Sequence, residues 1–167
     1  MYRLAVPRPE LLPFIENYWA VSVNPGEVVD LTVNVYVDAR ADLVFNFGDP
    51  YLRGVIRQQP ITHAASNLDA QRNVPITIVQ RGAVAIVGVR FRTGGVSPFV
   101  RQQMNRYTNR TPGITEVFGD DAEPLEASLS TRRSDIDAQK EVLDAFFLAR
   151  MEIDESYASF TAAKAQI

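Results

Sequence analysis

Cysteine is absent from this 167-residue chain, and histidine and tryptophan occur once each, as His63 and Trp19. Without thiols there is no disulfide framework, no thiolate metal site and no cysteine nucleophile, and the cytoplasm is the default compartment. A single histidine cannot supply the two or three imidazoles with which small barrels hold a transition metal, and no Asp-x-Asp-x-Asp spacing offers a hard cation a home. A serine–histidine dyad would have to use His63, which stands in Ile61-Thr62-His63-Ala64 with no nucleophile elbow nearby. The chain also lacks the G-x-x-x-x-G-K-[ST] pattern and the three spaced glycines of a dinucleotide turn. No catalytic residue, metal or cofactor is expected, and enzymatic activity is not. No apolar run approaches the length of a spanning helix, and the opening MYRLAVPRPELLP is interrupted by prolines before a leader core forms. A soluble chain with no membrane partner is expected.

What is present is a 46% hydrophobic sequence, enough to bury one core. Formal charge is -3, the wrong sign for a phosphate backbone, but the charge is unevenly placed. Nine arginines lie between Arg53 and Arg110 against one acid, Asp69, and the balance reverses from Glu116 onward, marking a compositional boundary near residue 115.

The first hundred residues have the grammar of strands. Within Phe14–Val23, Ile15, Trp19, Val21 and Val23 share one side and Glu16, Tyr18 and Ser22 the other, until Pro25-Gly26 turns the chain. VVDLTVNVYV, residues 28–37, aligns Leu31, Val33, Val35 and Val37. DLVFNFGDPY groups Leu43, Phe45 and Phe47 before a Gly-Asp-Pro stop, and further strands are read at Leu52–Arg57, Thr77–Gln80 and Ala83–Arg92. Such spacing predicts an antiparallel barrel or sandwich. After Gly95, Ser97-Pro98 predicts a helix to Tyr107, EPLEASLSTRR a shorter one, and Ser134 with Asp137 opens a helix to Met151. The tail, 152–167, reads as a linker or a frayed helix end.

Arg90 and Arg92 alternate with Val89 and Phe91 in GVRFRTGG and so share a strand face. Their destination stays open: solvent at the rim, internal carboxylates such as Asp42 or the acidic helix, or an anionic ligand. Gly94-Gly95 is a tight exit that needs positive φ. Trp19, Phe45, Phe47 and Tyr51 are core residues first and pocket wall second; with Arg90, Arg92 and His63 they form the candidate ligand set. Leu143, Phe146, Phe147 and Met151 make an apolar stripe that serves either a dimer or the chain's own core.

Taken in order, YRLAVPRPELLPFIENYW, DLVFNFGDPY, GVRFRTGG with its following Pro98-Phe99, and LDAFFLARM resemble the N-terminal regulatory domain of a subgroup of AraC-type transcription regulators, from Tyr2 to Met151. Two turns depart from that pattern: Val37-Asp38-Ala39 replaces Pro-Asp-Gly, and Arg92-Thr93-Gly94-Gly95 replaces Arg-Pro-Gly-Gly. The resemblance implies an α+β fold: a cupin-like antiparallel β-barrel (double-stranded β-helix) over residues 1–96, a helical segment over 97–151, and a linker over 152–167 toward a DNA-binding domain that this sequence does not contain. It implies a small-molecule effector, a homodimer, and DNA contact only through that further domain. The rival expectation is a stand-alone cupin-like binding protein or enzyme for an anionic substrate.

Overall fold

A computed structural model describes residues 1–24, 26–55, 61–63, 65–153, 155, 159 and 162, of which 61–63 are described as backbone only. The strands are β1 (Tyr2–Ala5), β2 (Ile15–Ser22), β3 (Val29–Val35), β4 (Asp42–Asn46), β5 (Tyr51–Val55), β6 (Ile61–His63), β7 (Asn67–Asp69), β8 (Ile76–Gly82) and β9 (Ala85–Phe91). They form two antiparallel sheets, a five-stranded one in the order β1-β2-β9-β4-β7 and a four-stranded one in the order β3-β8-β5-β6. Among the described residues no ladder joins the two into a closed barrel, so the arrangement is an α+β sandwich. Among the described residues, the helices that follow include α1 (Ile114–Phe118), α2 (Ala122–Ser130) and α3 (Ile136–Arg150).

The principal hydrophobic core lies on the far side of the larger sheet, against the helices, rather than between the sheets. Leu43 and Phe45 of β4, Val87, Val89 and Phe91 of β9, and Ile15 and Tyr18 of β2 meet Val117, Leu125, Leu129, Leu143 and Phe147 in one cluster. Its centre is aromatic. Phe147 stands 4.9 Å from Phe99 and 5.6 Å from Phe91, centroid to centroid, and Phe99 meets Phe14 edge-on at 5.7 Å. Edge-to-face rings add specific attraction to the area they bury.

Three sequence expectations change in three dimensions. The alternation assigned to β2 breaks at a bulge between Ile15 and Asn17, and the extra residue sends Tyr18 to the helix side with Ile15 while Trp19 faces the other way. The helix expected from Ser97 to Tyr107 is instead two 3₁₀ turns, Ser97–Phe99 and Met104–Tyr107, because Val100 and Gln103 are both extended. The last helix is capped by Asp135 rather than Ser134: its carboxylate accepts from the backbone N–H of Asp137 and Ala138, each at 3.0 Å. Strand β3 forms where its β-branched run predicts, with Asp30 through Asn34 all exposed. The glycine exit behaves as expected. Gly94 has φ 74°, and a side chain at Gly95 would collide with the Phe14 carbonyl.

Candidate functional site in the cleft between the sheets

Two contacts fix which faces look at one another. Asn67 Nδ2 donates to the Tyr51 hydroxyl at 2.8 Å, and Arg53 Nη2 donates to Asp69 Oδ1 at 2.8 Å, so β5 of one sheet and β7 of the other point these side chains together. Residues directly across a ladder share a face. The inner face of the smaller sheet therefore carries Leu31, Gln80 and Tyr51 in one row and Val33, Ile78 and Arg53 in the next. Opposite them, the larger sheet presents Asn17, Arg90, Asp42 and Asp69 in one row and Trp19, Gly88, Val44 and Asn67 in another.

At one end the Trp19 indole lies on Gly88, where an added Cβ would stand 2.0 Å from Cε2. Its Nε1 donates to Asp42 Oδ1 at 3.3 Å, and Arg90 holds the same carboxylate with two parallel bonds, Nε to Oδ1 and Nη2 to Oδ2, both 2.9 Å. That fork is the strong geometry for guanidinium and carboxylate, and the bond to Asp42 raises the pKa of Arg90. Of the destinations open to the two arginines, Arg90 takes the internal carboxylate. Arg92 lies past the end of β9, where its Nε donates to the Leu12 carbonyl at 2.7 Å in an exposed position.

At the other end Asp69 is shared by Arg53 and Arg72, at 2.8 and 2.9 Å, and the three side chains are 14%, 8% and 5% exposed. Arg72 also donates from Nε to the Tyr36 carbonyl at 3.2 Å. Arg53 and Arg72 thus share Asp69 while Arg90 takes Asp42, and the neighbouring Arg40 is held by Glu16 and Asp38, so the guanidiniums around this face are matched by carboxylates. Among the described residues, two buried atoms here have no hydrogen-bond partner, Arg53 Nε and Asn67 Oδ1. Unpaired buried polar atoms are costly and rare. Burial pushes the Tyr51 hydroxyl above its ordinary pKa.

Apolar side chains complete the cleft. Leu31 and Val33 point inward yet remain 52% and 39% exposed, and Val35, Ile78, Val44 and Ile86 are half-buried. None of them belongs to the core cluster. Inward-facing aliphatics that stay wet mark two sheets that do not seal against each other.

The expected ligand set is therefore divided. Trp19, Arg90 and Tyr51 face the cleft; the backbone of His63 pairs with Tyr51, but its side chain lies outside the described residues. Phe45 is buried in the sheet–helix core, and Phe47 packs at its edge with the Arg133 guanidinium 5.7 Å above its ring. Arg53, Asn67, Asp69 and Arg72 were not anticipated, because only the pairing between sheets brings them together; the one available sign was that Asp69 is the lone acid among nine arginines. Of the stripe on α3, Leu143 and Phe147 are fully buried in the chain's own core, while Phe146 and Met151 lie half-buried at its margin. Beside Phe146 a recess of about 500 Å³ opens between α2 and α3. Of the two arginines that line it, Arg101 is exposed and Arg150 is occupied: Arg150 donates to the Phe99 carbonyl at 2.8 Å, pairs with Asp121 and lies 5.2 Å from the Phe118 ring. That recess offers packing, whereas the cleft offers unmet polar groups. Among the described residues, no group of three or more His, Cys, Asp or Glu stands close enough to hold a metal ion, and no helix is long and apolar enough to cross a membrane.

A family model described as a domain of unknown function (DUF6597) matches residues 3–112, which carry the nine described strands except Tyr2 at the start of β1, together with the facing side chains of the two sheets. Neither the curated proteins nor the solved structures contain a match.

Proposed function

This chain belongs to the DUF6597 family, and we propose that it is a non-enzymatic regulatory module, the effector-sensing and dimerisation domain of an AraC-type transcription regulator. In this reading the facing sheets act as a cupin-like receptor, residues 97–151 as the helical lever, and 152–167 as the link to a DNA-binding domain. The observation that carries it is the facing of the two sheets: a half-wet aliphatic wall beside a buried Arg53–Asp69–Arg72 cluster, with one donor and one acceptor unmatched among the described residues. A small molecule with an apolar body and an anionic or hydrogen-bonding end fits that lining. Signalling follows from the larger sheet, whose inner face would touch the effector and whose outer face packs on α3 through Tyr18, Val89 and Phe91. Coupling requires only that the effector bind two arrangements of that layer unequally.

Trp19 makes the test direct, because it is the only tryptophan and it lies in the cleft. A screen of carboxylate, phosphate and neutral metabolites, read together by indole emission and by thermal shift, should find compounds that move both signals. Arg53→Met should abolish the response of the anionic ones. A library that moves neither signal removes the sensing claim. The stand-alone binder or enzyme draws on the same buried guanidiniums, and turnover of a bound anion by the purified chain would favour it.

A further inference from the structure

The stripe on α3 is largely enclosed in its own core, and a different surface is left for a second copy of this chain. Strand β3 is the edge of the smaller sheet; among the described residues it pairs only with β8. Its middle five residues are all exposed, and the apolar side chains along and beyond it are among the most exposed in the molecule: Val28 at 75%, Leu31 at 52% and Tyr36 at 78%. Free edges of this length are normally protected by lysine, proline, a bulge or a covering loop. In β3 the only charge is Asp30, already paired with Arg81 on the neighbouring strand at 3.3 Å.

The sequence of the edge matches itself. Antiparallel pairing with a second β3 that keeps all seven residues in register is centred on Thr32. It sets Leu31 opposite the partner's Val33, Val29 opposite the partner's Val35, Asp30 opposite the partner's Asn34 and Thr32 opposite its own copy. Every aliphatic meets an aliphatic on one face, polar meets polar on the other, and no like charges are opposed. Just outside the strand the same register brings Val28 against the partner's Tyr36. Because the match is isologous, one contact satisfies both edges and closes at two copies.

We propose that this chain self-associates through β3, joining two four-stranded sheets into one eight-stranded sheet across a two-fold axis at Thr32. The partner's Leu31 and Val33 then continue the aliphatic wall of each cleft. This inference does not depend on the effector reading, since it rests on an unprotected edge and its self-complementary register.

The absence of native cysteine gives a clean test. In the paired register the two Thr32 Cα atoms stand about 4.5–5.5 Å apart, within disulfide reach. Under mild oxidation Thr32→Cys should cross-link to a covalent two-chain species at least tenfold faster than Asp30→Cys, whose nearest cysteine lies several pairs away. Sedimentation equilibrium of the full chain should give a two-chain mass, and Leu31→Lys with Val33→Lys, which opposes like charges across the axis, a one-chain mass. Leu31→Lys with Val33→Glu should restore the two-chain mass by opposing unlike charges in the same register; retained far-ultraviolet dichroism confirms that each variant folds. A one-chain mass for the parent at high micromolar concentration overturns the proposal. So does equal cross-linking from residues 30 and 32, or a dimer indifferent to both double variants.

Discussion

The most constrained single residue is Asp144. It is fully buried in α3, yet its carboxylate accepts from the Tyr18 hydroxyl at 2.8 Å, from the Arg8 backbone at 3.2 Å and from Lys140 Nζ at 2.6 Å. It thereby joins β2, the N-terminal segment and the last helix at one point. Removing one member of a buried, hydrogen-bonded charge pair typically costs about 3–5 kcal/mol. Asp144→Ala should lower unfolding free energy by that order in chemical denaturation, and Asp144→Asn, which keeps an acceptor for Tyr18, by clearly less. The same cluster sets a pH limit. Burial, reinforced by Asp144, holds the Tyr18 phenol far above its ordinary pKa, so the folded chain keeps a proton that the unfolded chain sheds near pH 10. Lys140 is raised as well, by its bond to Asp144. In both cases the native state binds the extra proton, so this stability is fully present below about pH 10 and declines as pH rises further. Tyr18→Phe should flatten that alkaline decline, measured as denaturation midpoint against pH, while lowering stability at neutral pH through the lost bond.

At the level of elements, two positions test the packing of the sheets and the last helix. Gly88 is required by the indole that covers it, so Gly88→Val should displace Trp19, shift its emission to the red and cost about 1–3 kcal/mol. Asp135→Ala removes the cap of α3 and should cost about 1 kcal/mol, with no change in tryptophan emission. These two sites also show how much the sequence disclosed. The β4 and β9 strands, the glycine exit at Gly94 and the existence of the last helix were legible because alternation, turn chemistry and apolar spacing are local signals. The rest depended on distant residues. One bulged residue in β2 exchanged the roles of Tyr18 and Trp19. Whether Arg90 met water, Asp42 or a ligand depended on a strand forty-eight positions away. The polar floor of the cleft was invisible for the same reason: Arg53 and Asp69 meet only after two separate sheets have formed.

For the whole molecule, the family match and the physical core have different boundaries. The match ends at residue 112, just before α1. The core does not end there: Phe45, Val89 and Phe91 are fully or almost fully shielded from water, and Val117, Phe118, Leu125, Leu129, Leu143 and Phe147 are among the residues that bury them. A polypeptide ending at residue 112 would keep both sheets and every cleft residue but expose the outer face of the larger sheet. At ~25 cal/mol per Å² of apolar area returned to water, losing several buried Leu and Phe side chains removes an amount comparable to the ~5–15 kcal/mol by which domains of this size are stable. Residues 1–112 alone should therefore bind 8-anilinonaphthalene-1-sulfonate, aggregate and lack a cooperative melt. Adding residues 113–151 as a separate peptide should restore the melt if the sheet–helix layer is one folding unit. A cooperative transition from residues 1–112 by themselves would mean that the sheets hold each other without the helices. The cleft could then not transmit its occupancy to α3 through a shared core, and the lever in the regulatory reading would be lost.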